Sequence, residues 1–344
     1  MPASAKDVKV LKSDPFNAET PLERLHGLLT PVEMFYVRNH FAIPTAWKSL
    51  SVQGAVANPI QLGLDDLRAL PRRTVTATLE CAGNGRAFQQ PPAAGVQWGL
   101  GAVATAEWGG TPLRSVLELA RIEAGAAEVL FTGADRGAPE TGRPPVAFER
   151  SLPRRTALSD EPLLVYEMNG RPLLPEHGAP LRLVVPGWYG MASVKWLVRV
   201  TALERPFEGF FQATHYILDD GVHEPAPLVE MAVRALITFP TDGAVLAAGS
   251  AAAVRGYAWS GAAEVEGVDL STDGGRSWEP GELLPAPRHA WHEWRTSWTP
   301  AGPGEFELRA RATDAGGNLQ PDKAPWNRLG YRNNAVRPVR VSVR

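Results

Sequence analysis

The chain has 344 residues, which is enough for two domains that each bury a core of their own. Its 35 basic and 37 acidic residues nearly balance, and the net charge of -2 excludes the basic excess that is typical of nucleic-acid-binding proteins. The sequence contains no apolar run of about 18 residues and therefore predicts no transmembrane helix.

Cys81 is the only cysteine in the sequence. One thiol excludes an internal disulfide framework, a cysteine-rich zinc site and an iron–sulfur cluster. It also excludes a C-x-x-C-H haem attachment, so we expect electrons to leave to a separate acceptor. The first 16 residues contain neither an apolar segment nor twin arginines. We therefore expect no export signal and a cytoplasmic location.

Residues 1–224 are predicted to form a mixed α/β domain. A helix is predicted to start at Thr111-Pro112, with threonine as N-cap and proline at the first helical position. It continues over residues 113–120, where the apolar positions recur at helical spacing. A shorter helix is predicted at 65–70. Strands are predicted at 34–38, 74–79, 128–132, 163–168, 181–185 and 194–200.

Five arginines crowd one stretch of this region, and a solvated arginine face is the favoured interpretation. An anion-facing loop is the alternative. The five are Arg136, Arg143, Arg150, Arg154 and Arg155.

Residues 225–344 are predicted to form a second, all-β domain. The proline-rich segment 223–227 is interpreted as a hinge between the two. Asp273-Gly274-Gly275 is a hairpin turn signal. Short strands separated by such turns favour an immunoglobulin-like sandwich. The predicted strands are 235–239, 253–259, 268–272, 293–298, 305–312 and 336–343.

The loop that carries Cys81 follows a predicted strand and contains two glycines. Glycine lets the backbone turn tightly or approach a ligand closely. Arg86, five residues after Cys81, would lower the thiol pKa and hold an anion nearby. Thiolates suit soft or redox-active metals. A lone cysteine is nevertheless more often a small buried hydrophobe, so these residues alone leave both interpretations open.

The chain resembles the sulfite oxidase family of molybdopterin-dependent oxidoreductases. The resemblance begins with an aromatic segment that ends in Arg-Asn-His and continues through the Cys-Ala-Gly-Asn-x-Arg loop into the second domain. Each motif is modest alone, but the ordered set is specific. The motifs lie at residues 35–40, 81–86, 96–102, 107–110, 166–173, 177–182, 186–187, 193–197 and 271–278.

The resemblance implies a molybdenum–molybdopterin cofactor whose metal is bound by the Cys81 thiolate. It implies that Arg38, Arg86 and Trp98 act with Cys81 at the substrate. For His40, His177 and Trp98, packing in the core is the structural alternative. The residues implied to contact the cofactor are Arg38, Asn39, His40, His177, Arg182, Ser193 and Lys195.

Three positions depart from the family pattern. Phe148 stands where we expect the family's tyrosine, so the site is predicted to lack that hydroxyl. Leu329 stands where an anion-binding arginine is expected, with Arg328 one residue earlier. Glu128 stands where a cofactor-contacting histidine is often found. These departures leave the substrate open.

The function implied by the resemblance is oxidation of sulfite or a related anionic sulfur compound, by a homodimer that passes electrons to an external acceptor. Two alternatives remain open. The first keeps the cofactor but reduces a sulfoxide or another oxyanion, which suits a site with fewer charges. The second is a non-enzymatic binding module that has lost the metal.

Overall fold

The computed structural model describes residues 7–344. The prediction of no export signal rests partly on residues 1–6, which lie outside the described residues. No helix of the described part is long and apolar enough to cross a membrane.

Within its described residues, the first region is built mainly from strands, with three short α-helices, α1 (Leu64–Ala69), α2 (Leu113–Leu119) and α3 (Arg154–Ala157). Its strands are β1 (Lys9–Ser13), β2 (Phe16–Glu19), β3 (Leu50–Gly54), β4 (Ile60–Leu62), β5 (Arg73–Glu80), β6 (Val103–Pro112), β7 (Glu128–Gly137), β8 (Val146–Pro153), β9 (Leu163–Met168), β10 (Arg171–Pro172), β11 (Arg182–Val184), β12 (Leu197–Leu203), β13 (Ile217–Leu218) and β14 (Ala226–Pro227).

Two five-stranded sheets enclose the main core of this region. One has the order β10-β9-β6-β5, with β11 also paired to β9, and the other has the order β4-β3-β12-β7-β8. Apolar side chains from both sheets and from α2 form one buried cluster, which includes Val52, Phe131, Leu164 and Val116. The mixed α/β prediction is confirmed, although strands greatly outnumber helices.

Several predicted elements differ from the structure for local reasons. Residues 34–38 form no strand, and Val37 makes only an isolated bridge to Ala18. The strand predicted from residue 194 begins only at Leu197, since Trp196 has a φ of 50° and interrupts the extended backbone. Helix α2 is capped by Pro112 rather than by the predicted threonine.

The central strand β6 was not predicted, and its burial explains why. It is buried on both faces, so its sequence lacks the alternation of polar and apolar residues that indicates a strand. Gly110 is needed within it, because a Cβ there would overlap the Leu164 carbonyl oxygen on β9. The strand therefore carries small residues where a sequence pattern would favour a turn.

The second region is a sandwich of two antiparallel-rich sheets, which confirms the immunoglobulin-like prediction. The sheets have the orders β15-β17-β21-β20 and β16-β23-β22-β18-β19. Val254 and Trp294 from one sheet and Leu308 and Val341 from the other share one buried cluster. The strands are β15 (Arg234–Phe239), β16 (Ala244–Leu246), β17 (Ala252–Trp259), β18 (Val265–Ser271), β19 (Glu279–Pro280), β20 (Glu282–Leu283), β21 (His292–Trp298), β22 (Gly304–Asp314) and β23 (Val339–Val343).

The second region also covers the free edge of β5. The Thr78 backbone N–H donates to the His289 carbonyl at 2.8 Å, and the Trp291 N–H donates to the Thr78 hydroxyl at 2.6 Å. The Trp291 indole N–H reaches the Leu28 carbonyl at 2.8 Å. Exposed sheet edges invite unwanted pairing, and this edge is occupied by the same chain. Strand β5 leads directly into Cys81, so the two regions meet at the loop that carries the thiol.

Replacing Trp294 with alanine should lower the free energy of unfolding by about 3–5 kcal/mol, because it removes a large side chain that is 1% exposed and leaves a cavity between the sheets. Urea unfolding followed by circular dichroism measures the change. Trp326→Ala, at a tryptophan that is 40% exposed, is the matched control. Equal effects of the two substitutions would contradict the assigned core.

Candidate active site

Cys81 lies immediately after β5, with its side chain buried. Its N–H donates to the Ala102 carbonyl at 2.8 Å, and its own carbonyl accepts from the Asn84 N–H at 2.8 Å, which closes a tight turn. Burial raises the pKa of the Cys81 thiol, whereas nearby Arg38 and Arg86 oppose that shift. A thiolate here therefore depends on positive charge beside it.

Arg86 is anchored next to this loop by backbone carbonyls. Its Nε donates to the Leu329 carbonyl at 3.0 Å and its Nη1 to the Val96 carbonyl at 2.9 Å. The guanidinium lies 5.0 Å from the ring centre of Tyr331. A Cβ at Gly83 would come within 2.6 Å of Nη1, so a larger residue there would displace the guanidinium from this position. Two of the three groups that hold Arg86 belong to the second region.

One cavity collects most of the residues that the sequence placed at the site. Arg86 and Trp98 are not among its lining residues in the described part of the chain. Trp98 is fully buried in the same apolar cluster as Cys81, and its indole N–H has no acceptor there. The predicted residues that line the cavity are Arg38, Asn39, His40, Cys81, His177, Arg182, Ser193 and Lys195.

The Arg38–His40 segment forms one wall of this cavity and is braced by β2. Arg38 donates to the Asn17 side-chain oxygen at 3.2 Å and contacts both ring nitrogens of His40. The Asn39 N–H donates to the same Asn17 oxygen at 3.1 Å. The Asn39 amide nitrogen is buried and has no acceptor among the described residues. A buried donor of this kind indicates room for a ligand acceptor.

A second wall, which meets the first where Lys195 contacts Asn39, carries two buried cations that donate to backbone carbonyls. Arg182 donates to the carbonyls of His177 at 3.0 Å and Ser193 at 3.2 Å. Lys195 donates to the Glu176 carbonyl at 2.9 Å and contacts the Asn39 side-chain oxygen. Burial lowers the pKa of Arg182 to about 10 and that of Lys195 well below its usual value. An anion bound here would relieve that cost of burial.

The two histidines of the cavity are neutral donors or acceptors. Burial lowers the pKa of His177 to about 3, and its Nε2 lies 3.0 Å from the Val32 carbonyl, to which the N–H donates. Burial and Arg38 also hold the pKa of His40 well below its usual value. The Ser193 hydroxyl accepts from the Val185 N–H at 3.0 Å. This bond fixes the turn in which the Ser193 carbonyl accepts from Arg182.

Tyr216 lines the cavity and was missed by the sequence analysis. Its hydroxyl lies 2.6 Å from His40 Nε2, and its ring stacks on Tyr331 at 5.2 Å. The inference from Phe148 that the site lacks a tyrosine hydroxyl is therefore wrong. Phe148 instead stacks on the His40 ring at 5.4 Å. The available signal was the aromatic run that ends at Tyr216, although it matches no local strand or helix pattern.

Tyr216 has an unusual backbone conformation and lies close to segments that a buried arginine, Arg150, binds. Its φ is 55°, and it follows a single π-helical turn at Phe210–Thr214. Arg150 donates to the Phe211 carbonyl and to the Leu228 carbonyl, the latter at 3.4 Å. Arg150 is 1% exposed, so the interpretation of a solvated arginine face is wrong for this residue.

The other two departures lie away from the cavity. Arg328 points outward and donates to the Asp219 carboxylate at 2.8 Å, while Leu329 contributes only its backbone carbonyl to Arg86. Glu128 accepts from the Phe207 N–H at 2.9 Å at the start of β7. Arg38, Asn39 and His40 line both the inner cavity of about 70 Å³ and a neighbouring cavity of about 790 Å³, which is called the funnel.

Two family models match the chain in order. The oxidoreductase molybdopterin binding domain covers residues 39–211, and the Mo-co oxidoreductase dimerisation domain covers residues 226–344. The chain is also 34% identical to the sulfite oxidase of Arabidopsis thaliana, over 97% of this chain and 93% of that protein. This chain belongs to the sulfite oxidase family.

Two further relatives extend the match. The mitochondrial sulfite oxidase of Mus musculus is 37% identical over 98% of this chain, which spans 66% of that protein's length. The crystal structure of the sulfane dehydrogenase SoxCD from Paracoccus pantotrophus superposes with a TM-score of 0.83. That match has 27% identity and covers 97% of this chain and 88% of that one. The predicted boundary at residue 224 falls between the two matched domains and stays a prediction.

The donor set of this sulfite oxidase family member fits a molybdopterin group. The cavity combines one thiol with Arg38, Arg182 and Lys195, and the unpartnered Asn39 amide faces the same space. Among residues 7–344, no set of three histidine, cysteine or acidic side chains is arranged to bind a metal. A metal that arrives on an organic carrier needs only one protein ligand, and the carrier's phosphate matches the cations.

His177 should make the folded state sensitive to acid. Its pKa is 6.5 in the unfolded chain and about 3 when folded, so the unfolded state takes up a proton that the folded state refuses. The contribution of His177 should therefore lower the free energy of unfolding by about 1.4 kcal/mol per pH unit as the pH drops below 6.5.

His177→Gln should remove this contribution to the pH dependence of the free energy of unfolding. Urea unfolding of cofactor-free protein at a series of pH values measures it. His223→Gln changes a histidine whose side chain is 80% exposed and is the control. An unchanged slope in His177→Gln would show that this histidine is not buried in its neutral form.

Proposed function

We propose that this chain is an oxidoreductase that binds molybdenum–molybdopterin and oxidises sulfite or a related sulfur anion. The observation that supports it most is one cavity in which a buried thiol, three cations and an unpartnered amide donor face the same space. The family's molybdopterin binding domain and the sulfite oxidase relatives support the same cofactor and reaction class.

In this proposal Cys81 binds the metal and the two walls of the cavity bind its carrier. Arg182 and Lys195 bind the carrier's phosphate, since a guanidinium fork and an ammonium match its oxygens. When bound, the cofactor supplies two-electron oxygen-atom transfer chemistry. The residues proposed to hold the pterin beside them are Arg38, Asn39, His40, His177 and Ser193.

The substrate enters through the funnel and meets Arg38, which borders both the funnel and the inner cavity. Arg38 binds the anion, and Arg86, which lies beside the Cys81 loop without lining the cavity, adds positive charge that offsets the anion's charge as the reaction proceeds. Trp98 packs beneath the Cys81 loop and supports its shape. Since Arg328 points away, Arg38 is the guanidinium proposed to contact the substrate, which suits a small anion of low charge.

Oxidation of one sulfite consumes one water and releases two protons and two electrons. The Tyr216 hydroxyl and His40 Nε2 form a hydrogen-bonded pair that can hold a proton at the phenolic oxygen and pass it toward the funnel. Burial raises the pKa of Tyr216, so the hydroxyl keeps its proton and serves as a donor.

We further propose that the electrons leave to a separate acceptor and that the protein is a homodimer. The first point rests on the single cysteine of the sequence, and the second on the match to the Mo-co oxidoreductase dimerisation domain. The alternative of sulfoxide or oxyanion reduction uses the same cofactor, so an assay of both directions separates the two.

Protein made in a host that synthesises molybdopterin should contain close to one molybdenum and one pterin per chain and oxidise sulfite with an artificial acceptor. Cys81→Ser should lose turnover while its circular dichroism stays unchanged, because the hydroxyl is a poor ligand for a soft metal. Elemental analysis, pterin fluorescence and acceptor reduction measure these outcomes.

A colourless wild-type protein without molybdenum would contradict the proposed function, and sulfoxide reduction without sulfite oxidation would favour the alternative. Sedimentation velocity on the same preparation tests the dimer.

Tyr216→Phe should reduce kcat by about 10²-fold with little change in molybdenum content, because it removes only the hydroxyl that donates near His40. Tyr257→Phe is the matched control, since Tyr257 is a buried tyrosine that donates to the Gly27 carbonyl far along the chain from the site. Steady-state kinetics of the loaded variants decides the point. Full activity of Tyr216→Phe would exclude the phenol from proton handling.

A further inference from the structure

Glu80, the last residue of β5, directly precedes Cys81 and is 2% exposed. Its carboxylate accepts three hydrogen bonds from buried donors. They come from the Asn84 amide at 3.0 Å, from Arg234 Nη1 at 2.9 Å and from the Trp259 indole at 2.9 Å. A carboxylate at this depth is stable only because these donors converge on it.

Two of the three donors belong to the second region. Arg234 begins β15 and is 1% exposed, and Trp259 ends β17. The Arg234 Nε and Nη2 atoms are buried and have no partner among the described residues. A Cβ on Gly85 would lie 2.9 Å from Nη2, so the guanidinium rests directly against the Cys81 loop. Glu80 is therefore the acidic partner of a guanidinium that keeps two buried nitrogen atoms without a hydrogen-bond acceptor among the described residues.

The same loop is fixed by further bonds from the second region. The Arg332 N–H donates to the Ala82 carbonyl at 2.9 Å, and the Asn333 amide donates to the Gly85 carbonyl at 2.8 Å. The loop therefore has one face toward the cavity and the other against the sandwich. Cys81 lies between this pair and the cavity, so a shift of Arg234 or Glu80 would also move Cys81.

We propose that Glu80 and Arg234 are a positioning pair that fixes the Cys81 loop and sets the electrostatic potential at its sulfur, so that the second domain contributes to the active site within its own chain. The proposal rests on the proposed function, because it concerns a metal bound at Cys81. It assigns the second domain a role in the reaction beyond assembly.

The two charges act on a bound metal in opposite directions. Interactions between charges are strong where water is excluded. Removing the carboxylate leaves Arg234 uncompensated, which stabilises the reduced, more negative metal and raises its reduction potential. Removing the guanidinium leaves Glu80 uncompensated and lowers the potential. If the pair had only a structural role, both variants would lose folding or molybdenum loading, and their reduction potentials would not shift in opposite directions.

The experiment is a redox titration of molybdenum-loaded wild type, Glu80→Gln and Arg234→Gln in mildly alkaline buffer, monitored by electron paramagnetic resonance. We expect a higher potential in Glu80→Gln and a lower one in Arg234→Gln. The kcat of each should fall by about 10- to 100-fold, which is the typical effect of losing a residue that orients a metal ligand. The double variant, a neutral amide pair, should recover most of that loss.

Glu161→Gln is the matched control, because Glu161 pairs with His289 at another contact between the two regions. Its potential and kcat should equal those of wild type. Shifts of the same sign in both test variants, or unchanged potentials, would overturn the proposal.

If the single variants fail to fold, Trp259→Phe removes one neutral donor from Glu80 and should lower the potential, and an unchanged value would overturn the proposal. A wild type without molybdenum would instead contradict the proposed function.

Discussion

The cavity of the first region holds more positive than negative charge in a place that water scarcely reaches. Two of its cations donate to backbone carbonyls, Arg182 to those of His177 and Ser193 and Lys195 to that of Glu176, and Asp135 is a lining carboxylate whose charge acts on Lys195. Carbonyls satisfy donors without cancelling charge, so burial still lowers the pKa of both side chains. The cavity therefore keeps an excess of buried positive charge, and this excess favours the binding of a phosphate-bearing ligand.

The thiol depends on the same imbalance. Burial alone raises the pKa of Cys81, and the residues that oppose this shift, Arg38 and Arg86, come from different parts of the first region. Arg86 in turn is held by Leu329 and Tyr331 of the second region. The charge that favours a thiolate is thus positioned by packing between regions, and neither region alone determines it.

The sequence predicted the parts of the site that lie in continuous motifs. Arg38, Asn39 and His40 were placed beside Cys81 because they occur in one ordered set, and the structure brings them to one cavity. Tyr216 was missed because a π-helical turn and a positive φ position it, and neither has a periodic signature. The buried state of Arg150 was missed because its acceptors, the Phe211 and Leu228 carbonyls, are remote in sequence.

Strand predictions failed where burial removes alternation, as in β6, or where one left-handed residue interrupts the backbone, as at Trp196. The second region was easier, because its strands have one face in the core and are separated by glycine-containing turns. Local patterns therefore indicated the architecture, whereas contacts between distant segments determined the details of the site.

The edge of β5 is closed by residues 289–291 of the same chain, which add to the sheet where another strand would otherwise pair. This contact joins the backbones of Thr78 and His289 and adds one side chain, the Thr78 hydroxyl, which accepts from the Trp291 N–H, so it demands a fixed spacing and few specific side chains. The buried contacts around Glu80 demand matched side chains instead. In evolution, the residues of the two regions that meet beneath the sulfur therefore have to change together, residue for residue.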